Sequence, residues 1–171
     1  GTDILSNVEY LKFSDQIMPL TAHTVAQSDV ADLYAWTQSV MSFDAAWNRL
    51  QVAYSYEDGR QYIYQYDVLS QFSWTSVETS FDPHGHHSQV IYNNDNDIKT
   101  VYQYDLNDAF AWSSVQTNFT AQSQRDTVIY NNDDLTSVVY QYDIDDDFAW
   151  DQTARYFDAD GRKIRDVYDN D

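Results

Sequence analysis

Polar and apolar residues alternate one by one along most of this chain. In TVYQYD, Tyr102 and Tyr104 fall on one side and Val101 and Gln103 on the other. In WTSVETSF, Thr75, Val77, Thr79 and Phe81 share a side, and Trp74, Ser76, Glu78 and Ser80 the opposite one. A period of two, written in β-branched and aromatic residues, is the signature of a strand. HSQVIYNN reads as a third strand. The segments between carry turn chemistry. DPHG (Asp82 to Gly85) and DADG (Asp158 to Gly161) place Asp first and Gly last, and Pro83 presets φ at the first central position. NNDND and NNDDL are Asn/Asp runs that tolerate the left-handed region. Connections this short leave neighbouring strands antiparallel. No segment after Tyr34 has a helical period. Around Ala22 to Leu33 the pattern suggests a short helix or an irregular connection.

The strands recur on a fixed period. Trp36, Trp74, Trp112 and Trp150 are each 38 residues apart, and so are Phe43, Phe81, Phe119 and Phe157. Tyr54, Tyr92, Tyr130 and Tyr168 keep the same spacing, as do Asp29, Asp67, Asp105 and Asp143. The shared junction reads DVADLYAW, DVLSQFSW, DLNDAFAW and DIDDDFAW. Residues 1–20 stand apart, 21–35 form a connection with a degenerate first junction, and the units run 36–73, 74–111, 112–149 and, in part, 150–171. Three strands cannot bury their own face, whereas stacked neighbours can. The expected fold is all-β: an elongated antiparallel β-meander array with about three strands per 38-residue unit. A closed barrel, propeller or trefoil is the alternative, and three strands per unit rather than four speaks against it.

Composition narrows the partners. The 171 residues hold 9 Lys and Arg against 28 Asp and Glu, a formal charge of −19. Such a field repels nucleic-acid phosphates and anionic membranes and attracts cations. Aromatics at 16% argue for a folded chain, because disordered acidic chains lack them. With no Cys, stability has to come from packing, metal or repetition. No apolar run approaches the ~18 residues of a membrane span. The chain starts Gly-Thr-Asp with no basic-then-apolar segment, and its last unit stops partway through the period, so it reads as a piece of something longer.

The first fifteen residues, GTDILSNVEYLKFSD, are of another kind. They resemble the segment that closes blocks of calcium-binding nonapeptides in RTX (repeats-in-toxin) proteins, with Thr2, Asp3, Leu5, Asn7, Val8, Glu9, Leu11, Phe13, Ser14 and Asp15 fitting that pattern. The 38-residue units look like a Trp/Tyr/Asp repeat that follows such blocks in some RTX proteins. The nonapeptide GGxGxDxUx is absent and the chain has only 4 Gly, so the family's calcium sites do not carry over. What the resemblance implies is context: a large bacterial protein exported by type I secretion into a calcium-rich exterior.

Several groups could carry chemistry. Calcium takes six to eight oxygens from carboxylates, carbonyls and water. The junctions offer Asp29 and Asp32; Asp67 with Ser70; Asp105, Asn107 and Asp108; and Asp143, Asp145, Asp146 and Asp147. In the competing reading the first Asp of each is a turn-former bonded to backbone amides. Asp95, Asp97, Asp133 and Asp134 in the Asn/Asp runs are second candidates, with ordinary hairpin turns as the favoured reading. Trp36, Trp74, Trp112 and Trp150 could stack on sugar rings of a polysaccharide or cell-surface glycan, beside the pairs Tyr64/Tyr66, Tyr102/Tyr104 and Tyr140/Tyr142. A residue repeated in every unit is more often packing. Trp47 breaks the period, standing where Gly85 and Gly161 fall in other units, and is the aromatic expected to be exposed or to cap the first unit. His84, His86 and His87 could hold zinc or nickel, but occur in one unit only. Nucleophile, zinc-protease and phosphate-loop motifs are missing, so no enzyme is expected. The leading expectation is a non-catalytic, calcium-stabilised structural or interaction module, secreted, without membrane insertion. A carbohydrate-binding module is the runner-up, and calcium-dependent self-association a third class.

Overall fold

The computed structural model describes residues 10–12, 17–19 and 22–169, with side chains from residue 22 onward. The RTX-like stretch, apart from the backbone of 10–12, therefore lies outside the described residues. Strands β1 (Tyr10–Lys12) and β2 (Ile17–Pro19) pair with each other. All the rest is one antiparallel sheet of twelve strands in chain order. It consists of β3 (His23–Ser28), β4 (Trp36–Phe43), β5 (Arg49–Tyr56), β6 (Gln61–Tyr66), β7 (Trp74–Phe81) and β8 (His87–Asn94). It continues through β9 (Lys99–Tyr104), β10 (Trp112–Phe119), β11 (Arg125–Asn132), β12 (Ser137–Tyr142), β13 (Gln152–Phe157) and β14 (Lys163–Asp169). The sheet is an open meander with no closure, and the described residues include no helix. At roughly 4.8 Å between strands it is about 50 Å wide.

The helix or irregular connection expected over Ala22 to Leu33 is corrected by β3. HTVAQSD is the counterpart, one period earlier, of QYIYQYD: Val25 stands for Ile63 and Gln27 for Gln65. Its tyrosine positions are filled by Thr24, Ala26 and Ser28, which weakened the strand signal. The twelve strands thus make four complete sets of three: β3–β5, β6–β8, β9–β11 and β12–β14.

Three is an odd number, and this decides the architecture. In a meander each strand reverses the one before, so successive units run in opposite directions. Register shows that they also exchange faces. Val52 lies opposite Tyr64, and Tyr64 opposite Glu78, whereas Val77 of the next unit lies opposite Gln65 and Tyr92. Val115, one unit on, lies opposite Gln103 and Tyr130, again on the face of Val52. Successive units are related by a half-turn about the long direction of the sheet and a step of about 14 Å.

The core is thin, because among the described residues no second layer covers either face. Leu50, Val52, Val77, Val90, Val115, Val128 and Ala154 are buried; the first six lie in patches of their own units, and Ala154 shares the face of Tyr140 and Val128 in the unit before it. Around them lie half-buried rings. Tyr54 meets Tyr64 edge-on at 6.1 Å, Tyr92 meets Tyr102 at 6.0 Å, and Tyr130 meets Tyr140 at 5.8 Å. The alternation placed Trp74 opposite Val77, and here the structure differs. A register shift between Trp74 and Ser76 inserts one extra residue, so Trp74 pairs with Asn94 and lines the same groove as Val77. The same bulge recurs at Trp36 and Trp112.

Candidate functional site

Each junction loop is built by its first Asp. That carboxylate accepts a hydrogen bond from the backbone N–H five residues on: Tyr34 to Asp29 at 2.6 Å, and Phe72 to Asp67, Phe110 to Asp105 and Phe148 to Asp143 at 2.7 Å. Asp67 and Asp143 also take the amides of Gln71 and Asp147. The fourth residue of each loop, Asp32, Ser70, Asp108 or Asp146, sits at φ between 52° and 56°. Short polar side chains tolerate that left-handed backbone. Two acidic positions in three of the loops, and one in the loop that carries Ser70, thus have a local structural cause. Asn107, Asp145 and Asp147 have none of this kind and are exposed.

The odd strand count distributes these loops between the two rims of the sheet. Junctions 29–35 and 105–111 lie on one rim, and 67–73 and 143–151 on the other. Acidic residues follow them: from residue 22 to 169 only Glu78, Asp126, Asp166 and Asp169 lie within strands. A junction and the hairpin turn two strands further on are clasped together. Asp95 N–H donates to Ser73 O at 3.1 Å, and Asp133 N–H to Ala111 O at 3.3 Å. This brings the second group of candidates to the first. The carboxyl of Asp133 is held above the ordinary Asp range, first by shielding from water and then by the charges of Asp108, Asp105 and Asp134. Its neighbour Asp134 is shifted the other way, by the hydroxyl and amide of Thr136. Asp97, in the equivalent turn, occupies the left-handed position at φ 64°.

The acidic residues of the two clasped loops, Asp105, Asp108, Asp133 and Asp134, offer hard carboxylate oxygen, the kind that calcium and magnesium prefer over softer metals. Among the described residues no three His, Asp or Glu side chains converge as a chelating set. What the geometry can do is neutralise charge between loops; it is not a preformed cage.

The aromatic candidates are stacked in pairs. Trp36, Trp74, Trp112 and Trp150 are half-buried, each nearly parallel to a ring two residues earlier. Tyr34 is 4.8 Å from Trp36, Phe72 4.6 Å from Trp74, and Phe110 and Phe148 each 4.8 Å from Trp112 and Trp150. The outer rings are the exposed ones, Phe110 at 58% and Phe148 at 57%. Trp47 is 60% exposed, as its break in the period suggested. It holds φ 65° where Gly85 and Gly161 stand in other units, and stacks on His23 at 4.0 Å. An open groove of about 550 Å³ lies on the face of the second unit between Trp74, Phe81, His87, Tyr92 and Tyr104. His87 meets the Phe81 ring edge-on in this groove, while His86 bonds Asp82 in the turn, so the His cluster is divided.

One repeated residue escaped the sequence reading. Gln27, Gln65, Gln103 and Gln141 keep the 38-residue spacing and lie opposite Ser39, Val77, Val115 and Thr153 of the next unit. Each faces the buried residue of its neighbour across the ladder, and the spacing alone would have revealed it. No protein-family model matches the chain, and no curated protein matches it significantly.

Proposed function

We propose that this chain is a non-catalytic β-repeat module, a spacer or interaction segment of a large exported protein of the RTX type, stabilised by divalent cations and calcium first among them. The observation that carries the cation reading is the clasp of two acidic loops, in which Asp133 N–H donates to Ala111 O at 3.3 Å and so joins the 133–136 turn to the 105–111 junction. Charges crowded on the rims repel one another in the fold. A cation bound between them lowers the free energy of the folded state alone, because the unfolded chain does not hold these loops together. Asp105, Asp108, Asp133 and Asp134 would supply the oxygens, and the ion would supply positive charge. Thermal melting after EDTA, with about 5 mM calcium or with sodium chloride of matched ionic strength, tests this beyond general screening. Calcium should raise the melting temperature more than sodium, and Asp133→Asn should blunt that rise. Equal melting in all three solutions sinks the cation reading.

A second reading, carbohydrate binding, is favoured by the open aromatic grooves with Gln51, Gln65 and tyrosine hydroxyls at their margins. It requires a shift of Trp fluorescence with a neutral polysaccharide in the absence of calcium.

A further inference from the structure

We infer that the two outer edges of the sheet are complementary and that copies of this chain join head to tail through them, β14 of one copy pairing with β3 of the next. The inference stands on strand register and does not depend on the cation reading. By period, β14 is the counterpart of β5, β8 and β11, and β3 is the counterpart of β6, β9 and β12. Inside the sheet these two strand types always pair in one register, as in Gln51↔Gln65, Val52↔Tyr64, Ala53↔Ile63, Tyr54↔Tyr62 and Ser55↔Gln61. The pairs β8–β9 and β11–β12 repeat it. Carried to the outer edges by whole periods, the same register sets Arg165 opposite Gln27 of the second copy and Asp166 opposite Ala26. Val167 then meets Val25, Tyr168 meets Thr24, and Asp169 meets His23.

The backbone groups point outward in the required phase, and no described residue pairs with them. Asp29 N–H donates to Thr37 O at 2.9 Å, so by alternation the amides of Thr24, Ala26 and Ser28 point away from β4. Asp67 N–H donates to Thr75 O in the same manner, so the matching amides of β6 face Val52 and Tyr54, whose counterparts on β14 are Asp166 and Tyr168. The side chains agree. Val25 and Val167 are 42% and 41% exposed, and their interior counterparts form the apolar pairs Ile91↔Val101 and Ile129↔Val139. Natural edges are blunted by Lys, Pro or inward charges. β14 has charges, but β3 carries no Asp, Glu, Lys, Arg or Pro, so it brings no like charge against Arg165 or Asp166. An even number of units separates the edges, so the incoming strand arrives in the right direction with faces aligned. The contact is heterologous and does not close, so growth is linear.

Sedimentation velocity of the 171-residue chain from about 10 μM to 1 mM, in about 0.5 M salt to screen the repulsion, should show a sedimentation coefficient rising with concentration through successive multiples. Ala26→Pro removes an outward amide of β3 and Tyr168→Pro one of β14, each sparing the inner ladder. Either variant alone should stay monomeric, and an equimolar mixture should form a heterodimer and stop there. Circular dichroism checks folding; should a Pro variant unfold, Val25→Lys and Val167→Lys, at exposed positions, repeat the same logic. A wild-type chain monomeric throughout, or an Ala26→Pro variant that dimerises as the wild type does, overturns head-to-tail pairing.

Discussion

Replacing Val77 by Ala measures whether one layer is the whole fold. Val77 is 5% exposed, yet among the described residues its cover comes from side chains of its own face, Trp74, Tyr92 and Tyr102 among them. The change deletes two methyl groups, about 1.6 kcal/mol at roughly 0.8 kcal/mol per carbon. The lower strand preference of Ala adds a few tenths, within a scale of about 1 kcal/mol. A closed cavity of about 40 Å³ would add about 1 kcal/mol more, but an open groove lets the neighbouring rings settle or water enter. The expected loss is therefore about 2 kcal/mol, with no cavity penalty. Val115, 6% exposed, has the same role one unit later and on the opposite face, so Val115→Ala should lose the same amount within about 0.5 kcal/mol. Urea unfolding, read as the midpoint shift multiplied by the mean slope, supplies both values. A loss above about 3 kcal/mol at one site and not the other would mean that one face is covered in solution, and the single-layer account would fail.

Leu135 sits at φ 68° and is 76% exposed, so its side chain gains little in return for a left-handed backbone that disfavours it by roughly 1–2 kcal/mol. Leu135→Gly should raise stability by about 0.5–1 kcal/mol in the same urea assay despite the flexibility Gly adds; a loss would refute the strain. Acid should act in two stages. Asp133, raised in the fold, becomes less destabilising as pH falls through its folded value toward 3.8. Asp29, Asp44, Asp58 and Asp134 are lowered, chiefly by the Tyr34 amide, the Asn48 side chain, the Arg60 amide and the Thr136 hydroxyl. Their stabilisation is present above the unfolded value of 3.8 and is lost as pH falls through the folded values beneath it. The melting temperature should hold or rise slightly from neutral pH to about 4 and fall below that; a rise continuing to about pH 2.5 would show that charge repulsion outweighs the bonded carboxylates.

The strands and their order were legible because alternation, turn residues and the 38-residue period all agreed. Three features were not. β3 was obscured because Thr24, Ala26 and Ser28 replace the tyrosines that mark the other strands of its type. The face of Trp74 was misassigned because alternation assumes one residue per step, and a bulge adds one without a compositional mark. The left-handed fourth residue of each junction explains Asp32, Asp108 and Asp146 by backbone geometry, where spacing alone left cation binding and turn formation equally open. The clasp of Asp133 on Ala111 could not be read at all. It joins a junction to a turn more than twenty residues away, and only the register of β10 and β11 brings them together.

The exchange of faces constrains any function assigned to the array. Whatever one unit presents on its aromatic patch, the next presents on the opposite side with its junction on the opposite rim. Equivalent patches on a single face are therefore two units apart, about 29 Å across the strands. A ligand bound along one face would have to span that distance, passing a unit whose patch points away. A second ligand of the same kind would meet an equal set of patches on the other face. A single elongated groove is excluded by this geometry, and two-sided presentation follows from it. A spacer that bridges two partners, or that carries the same contact to both sides, is what three strands per unit can build; a unit of two or four strands would have put every patch on one face.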